Sequence, residues 1–204
     1  MADDVTLPGT AAVIATDEVD MGSGAAHVQL VKIVDATEAG TSRVPASAGK
    51  GLAVEPRATM VRSAVTPTIS TSAYTAGDSI GGVMTFSTVN RSSGESIRLD
   101  SVQVADNADI GAAMDLVLFD RNPASGTFTD NAAADPTDTE INQIVGVIAI
   151  GSYSSFNDNS VSDTAVNRSM VLNGTDLFGV LVARSAPTFV ATSDLTVTLT
   201  ILQD

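Results

Sequence analysis

His27 is the only histidine in the chain, so any hydroxyl nucleophile needing an imidazole base would have to use it. It stands at the edge of a short strand-like run in a stretch of small residues. Such a stretch offers no core from which a third group could orient the ring, and the plainer reading is a strand-edge or interface side chain. There is no cysteine, which removes thiol nucleophiles, thiolate metal sites and disulfides. No G-x-S-x-G elbow, phosphate-cradling Walker loop or H-E-x-x-H pair occurs. Carboxylates are the remaining catalytic option, and Asp135, Asp138 and Glu140 cluster in sequence. Glycoside hydrolysis needs two carboxylates across a sugar, usually in an aromatic cleft, and aromatics are only 4% of this chain. The cluster reads more plainly as a short helix over Asp135–Gln143, with Asp135 as N-cap and Pro136 at the first helical position. Two loops are rich in hard oxygen ligands, Asp130–Asp135 and Asn157–Asp163, but neither has EF-hand spacing; Asn and Asp there read as turn formers. Gly81 and Gly82 follow a strand start and mark a bulge or close packing rather than a phosphate site. No catalytic set, cofactor or metal is expected.

The elements around these residues must be built without many rings. Hydrophobic residues are 44% of the 204, with no Trp, so the core is aliphatic, which suits branched side chains packed on pleated sheets. No apolar run approaches the roughly 20 residues of a membrane-spanning helix. The formal net charge is −14, the wrong sign for sheathing nucleic acid or docking on an anionic membrane. Charge is uneven. Residues 1–64 hold five bases and eight acids, and residues 65–204 hold five bases and sixteen acids. An acidic body repels its copies in solution, whereas a nearly balanced segment can lie against another protein.

Residues 1–64 are dominated by Gly, Ala, Ser and Thr and read as an extended arm. Its one strand-like run is Val28–Val34, largely apolar on both faces. A segment this poor in large apolar groups does not offset its own ordering entropy and is expected to order against a partner. From Val65 the pattern changes to short strand-like runs separated by Gly/Asp/Asn/Ser clusters. They are Thr66–Ser70, Ser79–Ser87, Ser96–Val104, Ala113–Asp120, Gln143–Ile150, Met170–Asn173, Leu177–Ala183 and Leu195–Leu202. In the last, Leu195, Val197, Leu199 and Ile201 face one way and Thr196, Thr198 and Thr200 the other, a half-buried antiparallel strand. In Met114–Phe119, Leu116 and Leu118 oppose Val117 and Phe119. Eight short strands without alternating helices predict an all-β fold, a jelly-roll-like β-sandwich over 65–204. Two long connections, Asp120–Glu140 and Gly151–Ser169, are expected to make contacts or carry function.

Several phrases carry a resemblance. VTLPGTAAVIATDEV (5–19), VQLVKIVD (28–35) and GLAVEPRA (51–58) resemble the N-terminal region of tailed-bacteriophage virion structural proteins. VTPTIS (65–70), YTAGDSIGG (74–82), AAMDLVLFDRNP (112–123), FTDNAAADPTDTE (128–140), VLNGTDLFGVLVARSAPTF (171–189) and DLTVTLTILQD (194–204) resemble the same group through the body. The resemblance implies a capsid decoration, or cement, protein on the head surface, partnered by the major capsid protein and by itself as a homotrimer, with no enzymatic role. The N-terminus MADDVTLPGT has neither the basic nor the apolar stretch of a signal peptide, so synthesis in the bacterial host cytoplasm is expected. Under this reading the arm meets the shell through Val28, Leu30 and Ile33 and through the bases Lys32, Arg43, Lys50, Arg57 and Arg62. The alternative is a tail or head-fibre component that binds host-surface glycan. It would need exposed aromatics at a concave site, and Tyr153 and Phe156 are its candidates.

Overall fold

The computed structural model describes residues 58–203, together with the backbone of 5–6, 13–14, 17–20 and 25–28. The chain divides into two units, Met1–Glu55 and Pro56–Asp204. In the first, β1 (Val5–Thr6) pairs antiparallel with β2 (Val13–Ile14), and β3 (Asp17–Asp20) pairs antiparallel with β4 (Ala25–Val28).

The second unit is an all-β sandwich. Its strands are β5 (Thr59–Val65), β6 (Ser79–Phe86), β7 (Ser96–Asp106), β8 (Met114–Phe119), β9 (Ile144–Ile150), β10 (Ser154–Phe156), β11 (Asn159–Val171), β12 (Leu177–Ala183) and β13 (Leu195–Gln203). One sheet runs β10-β11-β7-β13-β5 and the other β6-β12-β8-β9. Every pairing is antiparallel. With β10 set aside, the first strand pairs with the last (β5·β13), the second with the second-last (β6·β12), then β7 with β11 and β8 with β9. This unit is thus one long antiparallel hairpin rolled into two layers.

Alternation along the strands makes the core between the layers. Leu195, Val197, Leu199 and Ile201 of β13 are fully buried, while Thr196 and Thr200 on the other face remain half-exposed. In β7 the buried set shifts from Ile97 and Leu99 to Val102 and Val104. Asp100 is the extra residue, since Thr200 pairs with Ser101 and Ile201 with Leu99. One added residue moves the period-two pattern by one place, so both halves of the strand keep an apolar face inward. At the core's edge Tyr74 and Phe189 meet edge to face, centroids 5.8 Å apart.

Gly81 and Gly82 form the expected bulge. Val180 pairs with Val83 and Leu181 with Ile80, leaving both glycines unpaired in β6 at φ +74° and +71°. A Cβ on Gly81 would lie 2.4 Å from Pro67 Cβ, so the bulge also brings the chain against the loop before it.

Four expectations are corrected. Thr66–Ser70 is not a strand: Pro67 has no N–H to give a ladder, and Ile69 N donates to Thr192 O in a loop contact. The strand lies just before it, as β5, so residues 59–64 belong to the sheet rather than to the arm assigned over 1–64. Gly151–Ser169 is not a loop but holds the β10–β11 hairpin, closed by Asn157 and Asp158 with Asn157 at φ +46°. The short helix is α1 (Asp138–Ile141), capped by Thr137 instead of Asp135. Asp135 exchanges both backbone hydrogen bonds with Thr127 and is held in a bridge that a helix start would break. Thr137 and Glu140 close a capping box.

Candidate functional site

Of the residues assigned to shell contact, Val28 ends β4 opposite Asp17, and Leu30, Lys32, Ile33, Arg43, Lys50 and Arg57 lie outside the described residues. So does the run 29–34, most of the strand expected over Val28–Val34. His27 pairs with Glu18 in the β3–β4 ladder. Arg62 sits in β5 on the outer face of the five-stranded sheet, where its guanidinium donates to Gln103 Oε1 at 2.9 Å.

The carboxylates near α1 do not converge as a catalytic pair. Glu140 is buried and its oxygens are occupied: Oε1 accepts from Ser125 N and Gly126 N at 2.8 and 3.0 Å, and Oε2 from Thr137 N and Oγ1, both at 2.9 Å. Burial alone pushes this carboxyl up, but the donors of Thr137, Ser125 and Gly126 outweigh it and hold it at about 2. A carboxyl held that low is no proton donor at neutral pH. Its work is to staple the 120–140 connection to the start of α1. Asp130 is likewise engaged internally, accepting at Oδ1 from Tyr74 Oη at 2.6 Å and Gly81 N at 2.7 Å. Burial, with the hydrogen bond to Asp130, pushes the Tyr74 phenol well above its ordinary value. Asn157 and Asp158 make the hairpin turn, and Asp163 lies up β11 opposite Gln103. Among the described residues no three His, Asp or Glu side chains converge as a metal would require.

Two surfaces have binding character. The outer face of the four-stranded sheet is apolar. Val117 and Phe119 of β8, Val180 and Val182 of β12, and Ile144 of β9 form a second cluster with Phe128 and Ala134 from the 120–140 connection. Phe128 packs edge-on to Phe119 at 5.7 Å. The connection covers only part of the face. A groove of about 250 Å³ remains, lined by Val117, Phe119, Phe128, Ile144, Val147 and Val182 among others. Val147 is 51% exposed and Val83, beyond β12, 37%. The charge on this face is Asp115, which Arg184 neutralises through two bonds of 2.6 and 2.7 Å. The outer face of the five-stranded sheet differs: it presents Thr196, Thr200, Arg62 and Gln103, and the Arg98–Asp100 pair.

The second surface is a depression of about 420 Å³ on the β10–β11 hairpin, lined by Ser152, Tyr153, Ser154, Phe156, Val161 and Asp163. Tyr153 and Phe156 thus do share a concave site. Phe156 is 60% exposed. The Tyr153 hydroxyl instead turns inward: it is buried without a partner, as are Ser160 Oγ and Ser162 Oγ. Burial, with the nearby Asp106 charge, pushes this phenol well above its ordinary value. Asp106 is itself fully buried and accepts from Ala108 N and Gly111 N at 3.0 and 2.8 Å. No protein-family model, curated protein or solved structure matches the chain.

Proposed function

We propose that this chain is a structural, non-enzymatic protein of a tailed-phage particle: a decoration protein whose arm binds the major capsid protein and whose body self-associates as a trimer on the head surface. The observation that carries the reading is the largely apolar outer face of the four-stranded sheet. Residues 65–204 hold five bases against sixteen acids, so copies repel wherever that charge is apposed. The face bearing Val83, Val117 and Val147, with its one carboxylate neutralised by Arg184, is where a second copy meets apolar side chains instead. The nested strand pairing supports reading the sandwich as a jelly roll, and the resemblance of the sequence phrases to virion proteins supports the particle. A rigid body bridging several shell subunits acts multivalently, so modest contacts add up against internal pressure.

Two measurements test this. Sedimentation of the full chain should show a species larger than a monomer, and Val147→Asp should return it to monomer; an assembly unchanged by Val147→Asp would reject the face. Capsids lacking the protein should be decorated by wild type and not by the Leu30→Asp/Ile33→Asp double variant. Charge reversal of Arg57 alone should only weaken decoration, because an exposed ion pair contributes about 0–1 kcal/mol and a buried Leu or Ile roughly 1.5–3 kcal/mol. Full occupancy by the double variant would remove the arm as the anchor.

A further inference from the structure

We infer that the depression on the β10–β11 hairpin is a binding site for a neutral saccharide, a function separate from shell attachment. The argument starts from the aromatic inventory. The chain has six Phe and two Tyr. Tyr74, Phe86, Phe119, Phe128 and Phe189 are buried, and Phe178 packs on the outer cluster. Phe156 alone stands open to solvent, 60% exposed, next to the hairpin turn. A single exposed ring is ordinary on a protein surface, but this one borders a concavity within the roughly 300–1,000 Å³ span of ligand sites.

Hairpin register lines polar side chains along the face that carries the ring. Ser154 and Phe156 share a face of β10, Ser154 is opposite Val161, and Asp163 follows two residues further along β11. The Asp163 carboxylate makes no hydrogen bond or ion pair with any described residue, unlike Asp106 and Glu140, both of whose oxygens are engaged, and Asp130, whose Oδ1 accepts two bonds. The Ser152 and Ser154 hydroxyls are also uncommitted. A pyranose has an apolar C–H face that fits an aromatic ring and a rim of hydroxyls that donate to a carboxylate and exchange bonds with serines. Charge narrows the class. No base lines the depression and the chain carries −14, so acidic sugars are repelled and neutral ones are not. A shallow site with one ring and one carboxylate gives affinity in about the millimolar range per site, which a multimeric particle raises through avidity.

The test uses the full chain and four probes: maltotetraose, cellotetraose, chitotetraose and, as the anionic comparison, sialyllactose. Binding is followed by saturation-transfer NMR and by titration to about 10 mM sugar, the range such affinities require. The expected result is saturable binding of at least one neutral tetrasaccharide. Phe156→Ala should weaken it at least about tenfold, and Asp163→Asn by about tenfold, a loss of one good contact. Capsid decoration by Phe156→Ala should equal wild type. The inference is overturned if no neutral probe binds by about 10 mM, if sialyllactose binds more tightly than all three, or if binding survives both Phe156→Ala and Asp163→Asn. None of these outcomes bears on attachment through the arm, which the decoration assay reads separately.

Discussion

Replacing Gly81 by alanine separates two costs that the bulge imposes together. The first is conformational: Gly81 sits at φ +74°, where an L side chain costs roughly 1–2 kcal/mol. The second is steric: the new Cβ would lie 2.4 Å from Pro67 Cβ and 3.1 Å from Ile69 Cγ2, and overpacking of this kind costs about 1–3 kcal/mol. Two other glycines isolate the parts. Gly94 has φ +82° with nothing within 4 Å of a Cβ, so Gly94→Ala carries strain alone. Gly179 has no positive φ, but its Cβ would lie 3.1 Å from Leu116 Cδ1 and from Phe86 Cε2, so Gly179→Ala carries crowding alone. The expected losses are about 1–2 kcal/mol for Gly94→Ala, about 1–3 kcal/mol for Gly179→Ala, and for Gly81→Ala the sum of both kinds, roughly 2–5 kcal/mol. At about 2–4 °C per kcal/mol for a chain of this size, Gly81→Ala should lower Tm by roughly 4–20 °C. Urea unfolding of the four proteins at one pH gives the comparison, with an unchanged m-value showing that stability itself has moved. If Gly81→Ala is no worse than Gly94→Ala, Pro67 yields freely and the close approach of loop and bulge does not constrain the fold.

Two further predictions concern buried polar groups. Glu140, held at about 2 against an ordinary 4.5, has a depressed folded-state pKa, so its stabilisation is present above about 4.5 and is lost as pH falls towards 2. Thermal unfolding of wild type and Glu140→Gln should therefore differ most at neutral pH and converge on acidification through that window; a gap that stays constant down to pH 2 would show that the carboxylate charge is not what the donors stabilise. Tyr74→Phe and Tyr153→Phe should diverge. Tyr74 Oη bonds to Asp130 and to Ser70 N, so its loss should cost about 2–4 kcal/mol, whereas the unpartnered Tyr153 hydroxyl should cost less than about 1 kcal/mol in chemical denaturation. Equal losses would contradict the assignment of partners.

Strands whose inner face is aliphatic were readable from their alternation. Leu195–Gln203, Leu177–Ala183 and Met114–Phe119 lie within a residue or two of where period-two patterning puts them. The failures have a common physical cause. β5 and β11 lie towards the edges of their sheet, where one face meets solvent and the other only the rim of the core. In β11 the inward positions near the hairpin are Ser160 and Ser162, both buried, so the hydrophobic signal of a strand is missing where the strand begins. Only its last residues, Met170 and Val171, look like one, and the sequence reading finds a fragment there. The helix cap was misassigned to Asp135: Thr137 followed three residues later by Glu140 is a capping-box pattern, and it outweighs the Asp-Pro pair just before it.

The candidate surfaces were legible in unequal measure, and the difference follows from how far apart their parts lie. That Met114–Phe119 has two apolar faces is visible in its sequence and means that something must cover Val117 and Phe119. Nothing in those six residues says that the cover is Phe128 from the next connection, or that it stops short of Val147. The hairpin depression is local by comparison: Tyr153, Phe156 and Asp163 lie in one eleven-residue stretch; the sequence reading paired Tyr153 with Phe156, and reading the stretch as a loop hid the place of Asp163 on the same strand face. β10 lies outside the nested pairing of the other eight strands, and all three of its residues are exposed. The core therefore places no demand on Ser154, Ser155 or Phe156. The proposed sugar contact is what would give an exposed ring on this strand a role, and the sugar titration of Phe156→Ala is the experiment that reads it.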